Sequence, residues 1–174
     1  ADPATPEALV HATVTTFGRL DFAYNNAGVD GRFAPLADLD IAVFEHVINT
    51  NLRAVFLCMK YEIRQMLVHG GGVIVNCSSI ASTMALGGLA LYAAAKAGVN
   101  ALTRNAAVEY SAQGIRTVAI APGVIGTALQ QQAFAQMDPE VRAKLTAMHP
   151  IGRFGKPQEI GDAVAWLCSE EAGF

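Results

Sequence analysis

The sequence lacks most of the features that mark metal centres, disulfide frameworks and nucleic-acid surfaces. Its three cysteines, Cys58, Cys77 and Cys168, are odd in number and scattered, with no Cys-x-x-Cys or zinc spacing. Buried free thiols in a reducing compartment are the expectation, and with them a cytoplasmic location. The four histidines, His11, His46, His69 and His149, are equally dispersed, so no metal site is expected. Lys and Arg form no cluster and the net charge is −3, which speaks against nucleic acid as a partner. Charged residues make up only 16% and hydrophobic residues 52%. That is too little charge for disorder and enough apolar side chain for a core. No apolar run reads as long enough to span a bilayer and no segment reads as a signal peptide, so no membrane partner is expected. Neither Gly-x-Gly-x-x-Gly nor Gly-x-x-x-Gly-x-Gly spacing occurs among the sixteen glycines. The length suits one domain over 1–174. The chain starts at Ala1 without Met and ends at CSEEAGF without an obvious terminal element, so it is expected to be part of a longer protein.

What is present is alternation. TPEALVHATVTTFG (5–18) has helical spacing and a closing glycine. Leu20 to Tyr24 is a short apolar strand running into Asn-Asn-Ala-Gly. The apolar segment from Pro35 to His69 predicts one long helix, or two with a break near Asn49–Asn51. GVIVNCSS places Val73, Ile74 and Val75 in a row, the pattern of a parallel strand buried on both faces. A helix over roughly 90–112, a strand in IRTVAIAPG, a helical stretch interrupted near Asp138–Pro139 and a final helix in KPQEIGDAVAWLCSEEA follow. This order predicts an α/β fold with a parallel sheet and helices on both sides. Ligands of such sheets bind at the carboxyl ends of the strands.

Those ends are informative. Asn25-Asn26-Ala27-Gly28 follows the first strand, Cys77-Ser78-Ser79 the second and Ala121-Pro122-Gly123 the third. Asn51 stands in Asn-Thr-Asn-Leu, Tyr92 lies thirteen residues after Ser79, and Lys96 one helical turn further. Each motif is weak alone. Together, in this order, they resemble the short-chain dehydrogenase/reductase family over essentially the whole chain.

The resemblance implies a Rossmann-like, doubly wound, three-layer α/β/α fold, with the first strands and their glycine-rich phosphate turn absent from this chain. It also implies hydride transfer between NAD or NADP and a small alcohol or ketone. A homodimer or homotetramer is expected on the same ground. The catalytic set it implies is Asn51, Ser79, Tyr92 and Lys96. Tyr92 is the proton donor to the carbonyl oxygen, Ser79 orients that oxygen, and Asn51 holds a water linking Lys96 to solvent. Lys96, one turn from Tyr92, is expected to lower the phenol's pKa and to bind the nicotinamide ribose. The cofactor-binding residues implied are Asn25, Asn26, Ala27 and Gly28 at the adenosine ribose, with Tyr92 and Lys96. Pro122, Gly123, Val124, Ile125 and Thr127 are expected at the nicotinamide carboxamide. Residues 128–140 would form a lid, and Leu86 to Leu89 would line a pocket with no Lys or Arg, suited to a neutral substrate. Two other readings stand beside this one: a non-catalytic fragment or binding module, and an epimerase of the related extended group.

Overall fold

The computed structural model describes residues 4–127, 130 and 134–173. They fall into two compact units, Ala1–Ala121 and Pro122–Phe174.

In the first unit, helix α1 (Ala4–Phe17) leads to strand β1 (Phe22–Asn25). Helix α2 (Ile41–Ile48) passes through a π-helical turn (Asn49–Arg53) into α3 (Ala54–Val68). Strand β2 (Gly72–Cys77), helix α4 (Ala90–Tyr110) and strand β3 (Ile115–Ile120) complete it. The strands form a parallel sheet in the order β1-β2-β3. Asn25 pairs with Asn76, which pairs with Ala119, so the chemistry-bearing strand ends lie side by side. Val73, Ile74, Val75 and Asn76 of the central strand are all buried, as the unbroken apolar run predicts. Gly114, at φ 81, ends the turn after α4 in the left-handed region, and its carbonyl accepts from Gly72 N–H at 3.1 Å.

The core joins α3 and α4 to the sheet through Val55, Met59, Ile63, Met66, Ile74, Val99, Ala106 and Ile115, and includes Leu20. A buried side chain of this size contributes about 2 kcal/mol. Among the described residues β1 pairs on one side only, and its Phe22 and Tyr24 remain 56% and 37% exposed.

One expectation needs correcting. α2, the π turn and α3 make a continuous helix, Ile41–Val68, whose 28 residues and window hydropathy of 1.2 do reach what a bilayer span requires. Of the two alternatives, one long helix or two with a break near Asn49–Asn51, the first holds: the π turn carries the helix through that point. Its buried side chains, Val55, Met59, Ile63 and Met66, belong to the core cluster, so it is a packing helix of this unit.

The second unit holds α5 (Pro139–Ala147) and α6 (Pro157–Cys168). Asp138 Oδ1 caps α5 by accepting from Glu140 N–H at 2.7 Å, with Pro139 in the first turn. Glu159 in the first turn of α6 accepts from Lys156 N–H at 2.7 Å and from both ends of the Arg153 guanidinium. Arg153 holds the Glu159 carboxyl down to about 2. Phe134 stacks on Phe154 at 4.6 Å. Ala128, Leu129 and residues 131–133 of the expected lid lie outside the described residues.

Candidate active site

Four of the anticipated residues gather at the carboxyl ends of β1 and β2. Asn51 lies in the π turn and is fully buried. Its Oδ1 accepts from Val29 N–H at 2.8 Å and its Nδ2 donates to Val29 O at 2.7 Å. A side-chain amide thus pairs with a peptide much as a neighbouring strand would. It fixes the far end of the loop that begins at Asn25. One N–H and one acceptor site of the amide are committed there, so the side chain clamps the loop. Asn49, two residues earlier, accepts from Arg53 on the exposed side.

A Cβ placed on Gly28 would lie 3.0 Å from Asn51 Oδ1 and 3.4 Å from Lys96 Nζ. Only glycine allows this loop to approach both groups so closely. Asn26, Ala27 and Gly28 are themselves exposed, which leaves a small-residue backbone open to a ligand. The loop therefore fits close approach of a dinucleotide.

Lys96 is 3% exposed and donates to Cys77 O at 2.7 Å. Ser78 Oγ donates to Lys96 O at 3.2 Å, so the end of β2 is tied to α4 in both directions. Lys96 Nζ lies 5.7 Å from the centre of the Tyr92 ring. Ser79 is 8% exposed and its Oγ accepts from Ala81 N–H at 3.1 Å. That leaves the Ser79 hydroxyl proton free to be donated elsewhere.

The electrostatics correct an expectation. The Tyr92 pKa lies above the ordinary phenol value, because burial raises it most; the Ser79 hydrogen bond pulls it down and the Asp30 charge pushes it up. Burial lowers the Lys96 pKa in turn. Proximity of an ammonium suggested a lowered phenol, but burial of the phenol is the largest influence on it.

Sequence reasoning missed a polar chain beneath the site. Asn25 Nδ2 donates to Glu62 Oε2 at 3.0 Å and to Asn76 Oδ1 at 2.9 Å. Asn76 Nδ2 donates to Thr103 Oγ1 at 2.9 Å and to Met59 Sδ at 3.4 Å. Thr103 Oγ1 donates to Val99 O at 2.8 Å, and Thr117 Oγ1 to Thr103 O at 3.3 Å. Burial pushes Glu62 up to about 7, against the Asn25 hydrogen bond. A signal existed: Glu62 shares the helical spacing of Met59, Ile63 and Met66, which marks a carboxyl on a buried face.

The remaining anticipated residues, Pro122 to Thr127, belong to the second unit. Val124 N–H donates to His149 Nε2 at 3.0 Å, and Val124 O accepts from Gly155 N–H at 2.9 Å. His149 Nδ1 lies 3.0 Å from Leu145 O, so one ring nitrogen accepts and the other donates. A Cβ on Gly123 would come within 2.8 Å of His149 Nε2. The Val124 N–H and carbonyl are thus each engaged within this unit. Ile125 O accepts from Thr127 N–H at 2.8 Å, and Thr127 Oγ1 accepts from Gln130 N–H at 3.2 Å. His149 was not anticipated, since a lone histidine before Pro150 carries no sequence pattern.

The arrangement is a parallel α/β sheet with Ser79, Tyr92 and Lys96 placed after its second strand. A family model described as enoyl-(acyl carrier protein) reductase matches residues 1–174, and the chain belongs to the short-chain dehydrogenase/reductase family. Cyclohexanol dehydrogenase of Acinetobacter sp. (strain SE19) is 42% identical over 174 residues, covering 100% of this chain and 66% of that protein. A crystal structure of levodione reductase superposes with a TM-score of 0.93 at 40% identity, covering 99% of this chain and 69% of that one. NAD+-bound xylitol dehydrogenase superposes equally well, at 0.93, with 30% identity and 99% and 71% coverage. The chain thus spans about two-thirds of the length of these relatives.

Proposed function

We propose that the protein carrying this chain is an NAD- or NADP-dependent oxidoreductase that interconverts a small ring alcohol and its ketone. The observation that carries the reading is the meeting of Asn51 and Lys96 at Gly28, with Tyr92 beside Lys96 and Ser79 following the strand end that Lys96 holds. The cyclohexanol named in one relative supports a ring alcohol. The NAD+ named in another supports the cofactor class.

Asn26, Ala27 and Gly28 would hold the adenosine side of the dinucleotide and Lys96 the nicotinamide ribose; the bound nicotinamide supplies or accepts the hydride. This chain's residues do the rest. Ser79, its oxygen fixed by Ala81 N–H, presents its hydroxyl proton to the substrate oxygen. Tyr92 gives its proton to that oxygen in reduction and recovers it in oxidation. Burial keeps the phenol protonated, which suits the reducing direction. Lys96 sits beside the ring and favours the phenolate left behind. Asn51 keeps Val29 and hence Gly28 in place.

The test is to incubate the full-length gene product with cyclohexanone and NADH or NADPH, following nicotinamide absorbance. Turnover that Tyr92→Phe abolishes supports the reading. Dinucleotide binding with no turnover on any ring ketone or alcohol would sink it.

A further inference from the structure

The loop Asn25–Val29 is gripped at both ends. Asn51 holds Val29 by two hydrogen bonds. At the other end Asn25 is held by Asn76 on the neighbouring strand and by Glu62 on α3. Neither Glu62 nor Asn76 belongs to the proton-transfer set, and Glu62 is only 7% exposed.

The direction of the hydrogen bonds follows from Glu62. An amide side chain can face either way, since its oxygen accepts and its nitrogen donates. Glu62 Oε2 accepts from the Asn25 nitrogen at 3.0 Å, as a carboxylate oxygen or as the carbonyl oxygen of the acid with its proton on Oε1, and so turns that nitrogen toward α3. That same nitrogen then meets Asn76 Oδ1. Asn76 is thereby set with its nitrogen toward Thr103 and Met59. The Thr103 hydroxyl, already accepting, sends its proton to Val99 O within α4. One acceptor on α3 therefore orders side chains on β1, β2 and α4, and every donor in the chain meets an acceptor. Reversing the Asn25 amide would bring two oxygens together at Glu62 and two at Asn76.

We propose that Glu62 is a positioning residue: its acceptor oxygen fixes the Asn25 amide, and through Asn25 it sets the start of the loop that receives the dinucleotide. The proposal rests on the functional reading above for the identity of the ligand, and on the geometry alone for the loop. Glu62 touches neither substrate nor dinucleotide, so its removal should appear in dinucleotide binding more than in turnover.

The experiment compares Glu62→Met and Glu62→Gln with the wild type in the full-length gene product. Glu62→Met keeps length without an acceptor; Glu62→Gln keeps an acceptor oxygen without the charge. Hydrogen–deuterium exchange of the 25–29 segment reads the loop, and fluorescence titration with NADH and NADPH reads binding. Glu62→Met is expected to speed exchange in 25–29 and to weaken the preferred dinucleotide by about tenfold. Its turnover at saturating dinucleotide should stay within about threefold of wild type. Glu62→Gln should restore both exchange and affinity. Wild-type exchange and affinity in Glu62→Met would overturn the proposal, and so would equal weakening in both variants. If Glu62→Met does not fold, Glu62→Asp replaces it, drawing the oxygens back by one methylene, with the same two outcomes. If the wild type binds neither dinucleotide, the functional reading fails, while the exchange measurement still decides whether Glu62 positions the loop.

Discussion

In the first unit Asn51, Asn76, Lys96 and Thr103 are at most 4% exposed, and each is hydrogen-bonded inside that unit. In the second, the buried residues among those described are Phe134 and Ala172, and the strongest polar contact is an ion pair whose partners are 43% and 44% exposed. The first unit holds the groups proposed to transfer a proton against a hydrogen-bonded interior, where each lost partner leaves an uncompensated polar group. The second holds its loop by one histidine and a short parallel bridge, Ile125 to Gly155. Groups that transfer a proton need fixed geometry, and the densely bonded interior supplies it. Segments held by few bonds open at low cost.

Substitutions can break this contrast, and the largest effect belongs to the first unit. Tyr92→Phe should lower turnover by about 10²–10⁴-fold while leaving the melting temperature nearly unchanged. A steady-state assay beside a thermal melt checks it, and a variant retaining half its activity would remove Tyr92 from the chemistry. Next comes Asn51→Ala, which strands the N–H and C=O of Val29 in a part-buried site. A loss of about 3 kcal/mol is expected, read by urea denaturation.

The third prediction uses pH. Glu62 is raised from its ordinary 4.5 to about 7. Between those values the folded protein keeps a proton that the unfolded chain has released, so stability falls as pH rises through the window. The contribution is present below the unfolded pKa and lost above about 7, a change of about 3 kcal/mol in all. Glu62→Gln should therefore gain on the wild type between about pH 5 and about pH 8. Denaturation midpoints at the two pH values decide, and parallel pH curves would show that Glu62 does not titrate there. The smallest effect is expected in the second unit. His149→Phe keeps a ring beside Phe154 and removes the acceptor for Val124 N–H. It should cost about 1 kcal/mol, and a loss as large as that of Asn51→Ala would erase the contrast between the units.

The sequence shows some of this well. The run Val73–Val75 reads as a strand buried on both faces because only such a strand tolerates consecutive apolar residues. Tyr92 and Lys96 read as neighbours because helical spacing puts them there. The possible break near Asn49–Asn51 marks the place where the helix widens into the π turn. The polar chain was not legible. Asn25 meets Glu62 and Asn76 across 37 and 51 residues of sequence, which no local period encodes. The phenol's pKa was misjudged for a related reason: a neighbouring charge can be read from spacing, but the depth of burial cannot.

The π turn has a consequence for how this chain tolerates change in length. From Val47 the inward positions recur at every fourth residue, through Asn51, Val55 and Met59 to Ile63. In a regular helix each step of four overshoots the face by about 40°. The wider turn at 49–53 absorbs part of that drift and keeps the two halves in phase. Removing a single residue there would close the wide turn into a regular one; the lost residue and the tighter winding nearly offset each other, so the segment after it keeps its face toward the core. A one-residue deletion in Asn49–Arg53 would therefore disturb the local geometry that aims Asn51 at Val29 while leaving Val55, Met59 and Ile63 in phase.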